Sequence, residues 1–273
     1  MLARFTLDGH RVLAITVAST MAGSPSLYWG SAEVNSHDRI HLTLAQSAPA
    51  SARSGLVGLL DGGATRSFDV AISATLLLLL SPVILGCAIA IRLDSPGPAF
   101  YRARRVGRGG RDLLVLKFRK MADDAGGQPL TGAVDPRFTR IGRFLSRTKL
   151  DELPQLWNVL RGAMSLVGPR PEDARFVALH EREYSEIVSV RPGVTGLCQL
   201  AFAREAEILD PDDRLGHYVE WILPQKVAID QLYVHSRTFG GDVKILIWTL
   251  LPLFLRVEVA VDRKSGALTV RRR

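Results

Sequence analysis

From Val70 to Ile91 the chain carries 22 consecutive residues without a charge, VAISATLLLLLSPVILGCAIAI. Coiled as one helix, this run would measure about 33 Å, enough for a bilayer core of about 30 Å. Ser81-Pro82 sits at its centre. Proline has no amide hydrogen to donate, and its ring clashes with the carbonyl one turn earlier, so a break is predicted here. Each arm is then about 17 Å long and reaches only to mid-bilayer. Arg66 precedes the run, and Arg92, Arg102, Arg104 and Arg105 follow it. Positive charge favours the cytoplasmic side, so both flanks suit the same face. The expectation is a re-entrant helix-break-helix over residues 67–93, broken at Ser81 and Pro82. A plain spanning helix is the simpler alternative.

Beyond the run, Ser95-Pro96-Gly97-Pro98 cannot continue a helix and predicts a sharp exit turn. Ala99 to Arg105 and Leu113 to Phe118 are expected as short extended segments around Gly109-Gly110. Residues 122–136 have the composition of a loop. The following DPRFTRIGRFLSRTKLDELPQLWNVLRG is predicted mostly helical, with Leu150, Leu153, Leu156, Trp157 and Leu160 forming one apolar stripe. Thr148 and Asp151 have capping-box spacing, and Pro154 suits a first helical turn, so a helix start is expected near Asp151. Ile245 to Leu255 is apolar but too short to span, and is expected as an interfacial or buried helix. Residues 1–66 are expected to be a poorly ordered leader. Arg4 and Arg11 ahead of Val12–Ala18, with Ala22-Gly23 after it, have the pattern of a signal peptide. The fold class expected is mostly α with a small β element.

Charge sharpens this picture. The net charge is +8 and the pI about 9.9, which calls for an anionic partner. Between Arg92 and Lys149 there are 14 Lys/Arg against 5 Asp/Glu, more excess charge than in the whole chain. Asp151-Glu152 follows immediately. Adjacent carboxylates after so many cations suggest chemistry on a polyanion, with the cations holding phosphate and the carboxylates reacting or binding metal. Lys117 and Arg119 alternate along an extended segment and would share a face. Arg170, between two prolines in Gly168-Pro169-Arg170-Pro171, and Arg191 before Pro192-Gly193, are guanidiniums on rigid turns. Each of these features also has a structural reading: helix-start acids, a solvated edge strand, turns with an exposed arginine. Cys87 and Cys198 form no ligand pattern, and a reducing compartment fits.

Together the ordered segments KFR, LDELPQL, GPRP and RPGVTG, behind the broken apolar run, closely resemble the bacterial sugar transferases. These are the monotopic phosphoglycosyl transferases that begin exopolysaccharide, O-antigen or glycoconjugate assembly. The resemblance covers roughly residues 66–255. It implies transfer of a sugar 1-phosphate from a UDP-sugar to polyprenyl (undecaprenyl) phosphate with release of UMP, and it implies Mg2+. By resemblance Asp151 is the nucleophile that forms a covalent phosphosugar intermediate, and Glu152 is a metal ligand. Lys117, Arg119, Arg147, Arg170 and Arg191 are then the candidates for binding substrate phosphate.

The implied architecture is membrane-anchored, with a cytoplasmic catalytic domain over residues 94–257 on the bacterial inner membrane and a basic C-terminal tail over 258–273. Membrane lipid and downstream glycosyltransferases are expected partners; nucleic acid is not. Three positions depart from the family pattern. Ser146-Arg147 stands where two basic residues are usual, Lys149 where Ser is usual, and Ala201-Phe202-Ala203-Arg204 where an Asn-Gly-Arg turn is common. A non-catalytic basic module binding anionic lipid or nucleic acid would explain the charge but not the acidic pair. A lipid-phosphate hydrolase would use similar groups with water as acceptor.

Overall fold

In the computed structural model the uncharged run folds as two helices, α1 (Gly55–Leu79) and α2 (Ser81–Asp94), bent by 60°. Residues 2–7, 10–17, 28–29, 55–122, 130–132, 135–255, 257–262 and 265–272 are described. Pro82 leaves the Leu78 carbonyl without its helical donor. The Ser81 hydroxyl donates to that carbonyl at 2.7 Å, so the break leaves no orphaned acceptor there. Among the described residues no single helix is long and apolar enough to cross a membrane.

The base of α1 is pinned by polar groups just ahead of the apolar run. Both terminal nitrogens of Arg66 donate to carbonyls at a helix end, Val159 at 2.7 Å and Leu160 at 2.9 Å. Asp69 is buried and accepts from the Ser165 hydroxyl and the Leu166 amide. Near the bend the side chains turn outward: Leu78 is 75% exposed. Helix α1 begins at Gly55, well before the expected boundary at 67. Of the rest of the leader, β1 (Leu2–Leu7), β2 (His10–Val17) and β3 (Tyr28–Trp29) form an antiparallel sheet. The stretch expected as a signal-like apolar segment thus lies largely in β2, and Ala22-Gly23 lies outside the described residues.

The exit turn leads into an antiparallel hairpin of β4 (Phe100–Val106) and β5 (Asp112–Phe118), with Tyr101 opposite Lys117. Gly109 and Gly110 both adopt positive φ in the connection, as the sequence requires. Then come α3 (Arg140–Thr148), α4 (Gln155–Leu160) and β6 (Ser165–Val167). Short helices α5 (Ala174–Val177) and α6 (Glu181–Ile187) lead to β7 (Gly193–Thr195), which pairs parallel with β6. Next are α7 (Leu197–Ala201), α8 (Glu205–Ile208), α9 (Arg214–His217), α10 (Leu223–Ser236) and α11 (Phe239–Phe254). A final hairpin, β8 (Val257–Val261) and β9 (Leu268–Arg272), closes the chain. Val259, Val261 and Leu268 pack on the main core, so the segment expected as a basic tail is partly a docked hairpin.

Two cores result. The main one gathers Val115, Val159, Met164, Leu223, Ile229 and their neighbours. A smaller one joins Ile91 of α2 and Ala99 of the exit to Phe118 and Leu145. Leu150, one residue before Asp151, packs against the smaller core. On α11, Ile245 and Asp242 face inward while Ile247 and Leu250 are exposed, giving an apolar outer face.

Candidate active site

The stretch expected as mostly helical is divided, and the helix start expected near Asp151 falls at Gln155. α3 ends at Thr148, and Lys149 takes a left-handed φ of 59°. Leu150–Glu152 forms one 3-10 turn, and α4 starts at Gln155 behind Pro154. The Thr148–Asp151 capping box does not form, because the Thr148 hydroxyl donates back to the Phe144 carbonyl at 2.9 Å. Left-handed backbone costs a non-glycine residue about 1–2 kcal/mol. Strain therefore lies two residues before Asp151.

Asn158 sets the position of this turn against the hairpin. Its side-chain oxygen accepts from the Leu116 amide at 2.9 Å, and its nitrogen donates to the Leu114 carbonyl at 2.8 Å. That clamp brings β5 to α4 and places Lys117 Nζ 2.9 Å from Glu152 Oε1. Arg170 Nη2 reaches the same oxygen at 3.3 Å. Asp151 is only 3% exposed, and Lys120 Nζ lies 3.4 Å from its Oδ2. The Lys120 backbone is pressed onto α3: a Cβ on Gly142 would sit 1.9 Å from the Lys120 carbonyl oxygen, so only glycine fits there.

Burial alone would raise the Glu152 carboxyl, but Lys117 and Arg170 reverse the sign and hold it well below the usual carboxylate range. Burial pulls the Lys117 ammonium down, and Glu152 only partly offsets it. Glu152 pushes Arg170 above its ordinary value. The pair of acids therefore faces three cations, Lys117, Lys120 and Arg170.

The other expected phosphate contacts go elsewhere. Arg119 is buried and donates to the Ser95 carbonyl at 2.9 Å and to Pro96, bracing the exit turn rather than facing the acids. Arg191 Nε donates to the Gly162 carbonyl at 3.0 Å, also away from the acids. Arg147 is exposed in the last turn of α3 and makes no polar contact with another described residue. Trp157, counted in the apolar stripe, is exposed and lies under the Arg161 guanidinium.

A second polar cluster lies beneath the Arg170 turn. Lys226 Nζ contacts Glu172 at 3.3 Å, Glu205 at 3.1 Å and the Tyr218 hydroxyl at 2.8 Å. Tyr218 also donates to Glu172 at 2.7 Å. Asp230, four residues after Lys226, is buried and accepts the Arg170 backbone amide. Burial pushes Asp230 up to about 8, with Lys226 opposing. The sequence reading missed this cluster and Lys120. The signal for the cluster was a Lys and an Asp at helical spacing within apolar KVAIDQL; for Lys120, it was the residue next to KFR.

Among the described residues no three His, Cys, Asp or Glu side chains converge as a metal cage. Mg2+ does not need one, since one or two carboxylates plus substrate phosphates usually hold it. Glu152 Oε1 takes both cations, while Oε2 has no protein partner among the described residues. With Asp151 adjacent, this hard-oxygen pair fits Mg2+ as a partial ligand set.

The family model for bacterial sugar transferases matches residues 61–256. The chain belongs to that family. It is 41% identical over 194 residues to an undecaprenyl-phosphate glucose phosphotransferase of Komagataeibacter xylinus, covering 68% of this chain and 35% of that protein. It is 35% identical over 200 residues to the UDP-glucose:undecaprenyl-phosphate glucose-1-phosphate transferase of Escherichia coli (strain K12), covering 70% of this chain and 40% of that protein. It thus spans well under two thirds of the length of these two relatives. An exopolysaccharide production protein PSS of Rhizobium leguminosarum bv. phaseoli is 39% identical over 195 residues, 68% of this chain and 92% of that protein. The matched region contains the acidic pair, the β4–β5 hairpin, both proline-locked turns and the bend between α1 and α2.

Proposed function

We propose that the chain transfers a sugar 1-phosphate from a UDP-sugar to polyprenyl phosphate, with Asp151 as nucleophile. An Asp151 oxygen attacks the sugar-linked phosphorus. The new Asp–O–P bond forms as the bond to the nucleoside phosphate breaks, and UMP leaves with the electron pair. A phosphate oxygen of the polyprenyl phosphate then attacks the same phosphorus, releasing the Asp151 carboxylate and leaving a polyprenyl diphosphate sugar. Two steps let the water-soluble donor and the lipid acceptor react in turn.

The observation that carries this reading is the turn itself: adjacent Asp151 and Glu152 with Lys117, Lys120 and Arg170 within 3.4 Å of their oxygens. Phosphoryl transfer depends on positioning and charge neutralisation, and these groups supply both. Arg170, on its proline-locked turn, and Lys117 lie where they can neutralise the diphosphate. Lys120 holds Asp151 in place through their ion pair, and its ammonium can turn to a phosphate oxygen once the carboxylate is esterified. Mg2+, held by Glu152 with Asp151 nearby, would polarise phosphate oxygens.

The relatives named for UDP-glucose and undecaprenyl phosphate support this donor and acceptor class. The bent helices support a site on the membrane, because exposed Leu78, Leu79, Leu85 and Ile89 form an apolar surface of the kind that marks a lipid interface. In this reading the bend dips into the cytoplasmic leaflet of the inner membrane. The product begins exopolysaccharide, O-antigen or glycoconjugate assembly, with downstream glycosyltransferases acting on it. The test is UMP release from a panel of UDP-sugars with Mg2+ and undecaprenyl phosphate. Acceptor-dependent release with one preferred sugar is expected. Free sugar phosphate with no lipid product would make the protein a hydrolase instead, and no release from any donor would return the basic-module reading.

A further inference from the structure

A groove of about 760 Å³ runs between the end of α2 and β4. Ile89 and Leu93 line one side, Phe100 and Tyr101 the other, and Arg92 and Arg102 stand along it. Its apolar residues are open to the outside: Leu93 is 83% exposed and Tyr101 58%. Neither arginine makes an ion pair or side-chain hydrogen bond with a described residue, although Arg104 and Arg105 beside them both do. The buried Arg119 braces the exit turn from which Pro98 and Ala99 form the groove floor.

The groove also leads to the acids. Tyr101 lies directly opposite Lys117 across the hairpin, and cross-strand partners share a face. Lys117 in turn bonds Glu152. Phe100 stacks on buried Phe118 at 5.3 Å between ring centres, which holds that wall in place. One end of the groove therefore begins at Ala88, on the helix that leads from the apolar bend, and the other lies one strand from the acidic pair.

We propose that this groove is the acceptor subsite, which takes the phosphate and first isoprene units of a polyprenyl phosphate. The proposal rests on the transferase reading. A nucleotide sugar would leave the apolar walls without a partner, while a hydrocarbon chain alone would leave both arginines unpaired. A single chain ending in phosphate satisfies both. The groove volume also lies in the range typical of small-ligand sites.

Two experiments test it. In neutral detergent micelles, Arg92→Gln/Arg102→Gln should raise the KM for undecaprenyl phosphate about tenfold or more, since each lost charge-assisted bond weakens binding strongly. Leu93→Glu should act in the same direction. The UDP-sugar KM and the acceptor-free burst of UMP should not change. An unchanged acceptor KM, or a parallel rise for the donor, would overturn the subsite.

The second experiment needs no turnover. A benzophenone-bearing polyprenyl phosphate should crosslink to residues 88–102 in Asp151→Asn, and unlabelled polyprenyl phosphate should compete. Crosslinking elsewhere while wild-type transfer is normal would overturn the subsite alone. Equal competition by phosphatidylglycerol would assign the groove to bulk anionic lipid and also overturn it. Crosslinking in the groove with no transfer by wild type would instead count against the transferase reading.

Discussion

Two acids withdrawn from water, Glu152 and Asp230, end on opposite sides of the ordinary carboxylate range. For both, burial is the largest influence and acts upward. Glu152 overcomes it because Lys117 and Arg170 bond it directly. Asp230 does not, because the nearest ammonium, Lys226, is committed to Glu172 and Glu205. The acidic pair at Asp151-Glu152 thus meets three cations, and Glu152 Oε2 has no protein partner among the described residues. The cluster beneath Arg170 is short of cations and closed. Surplus positive charge beside adjacent carboxylates suits a site that must receive a diphosphate; a closed, cation-poor cluster suits support.

The largest break in this contrast should come from Lys226→Met, which leaves Glu172, Glu205 and Asp230 without their shared cation. Removing one partner of a buried pair costs about 3–5 kcal/mol, so urea unfolding should show a loss of that size. Next, Arg170→Ala should lower kcat/KM about a hundredfold, or about 2.7 kcal/mol, as removal of a transition-state charge donor does. Its unfolding free energy should change much less, because the guanidinium is over a third exposed. If both variants lose mainly stability, the two clusters do not differ in role.

The pH dependence sharpens the comparison. Asp230 titrates at about 8 in the folded chain and about 3.9 when unfolded. Between those values the folded state holds the extra proton, so its contribution to stability is full below about 3.9 and is lost as pH rises toward 8. Asp230→Asn should flatten the fall in melting temperature across this window. An unchanged slope would mean that Lys226 does compensate Asp230. The smallest effect is Lys149→Gly, which relieves the left-handed backbone. It should raise stability by about 1 kcal/mol in urea melts and weaken transfer slightly through the lost charge near Glu152.

Much of the fold was legible wherever local chemistry dictates it. Proline in an apolar run makes the bend, and alternation around Gly109-Gly110 makes the hairpin. The adjacency of Asp151 and Glu152 is covalent and needed no fold. What sequence alone did not reveal depends on which backbone carbonyls packing leaves open. The proline-rich exit turn leaves Ser95 and Pro96 carbonyls unpaired, and Arg119, not a phosphate, satisfies them. Arg170 and Arg191 sit in like turns, yet one meets Glu152 and the other the Gly162 carbonyl. Proline fixes how rigidly a guanidinium is held; the neighbouring elements decide what it meets. The helix start expected near Asp151 is instead a left-handed Lys149 followed by a 3-10 turn, which helical periodicity does not signal.

The account rests on Asp151 as the covalent nucleophile. The most direct measurement is the intact mass of the purified protein after incubation with Mg2+ and its preferred UDP-sugar, without acceptor. The prediction is an increase of one sugar phosphate, mapped to the Asp151 peptide, discharged by polyprenyl phosphate and absent in folded Asp151→Asn. Acceptor-dependent transfer with no such adduct, or transfer retained by Asp151→Asn, would contradict it.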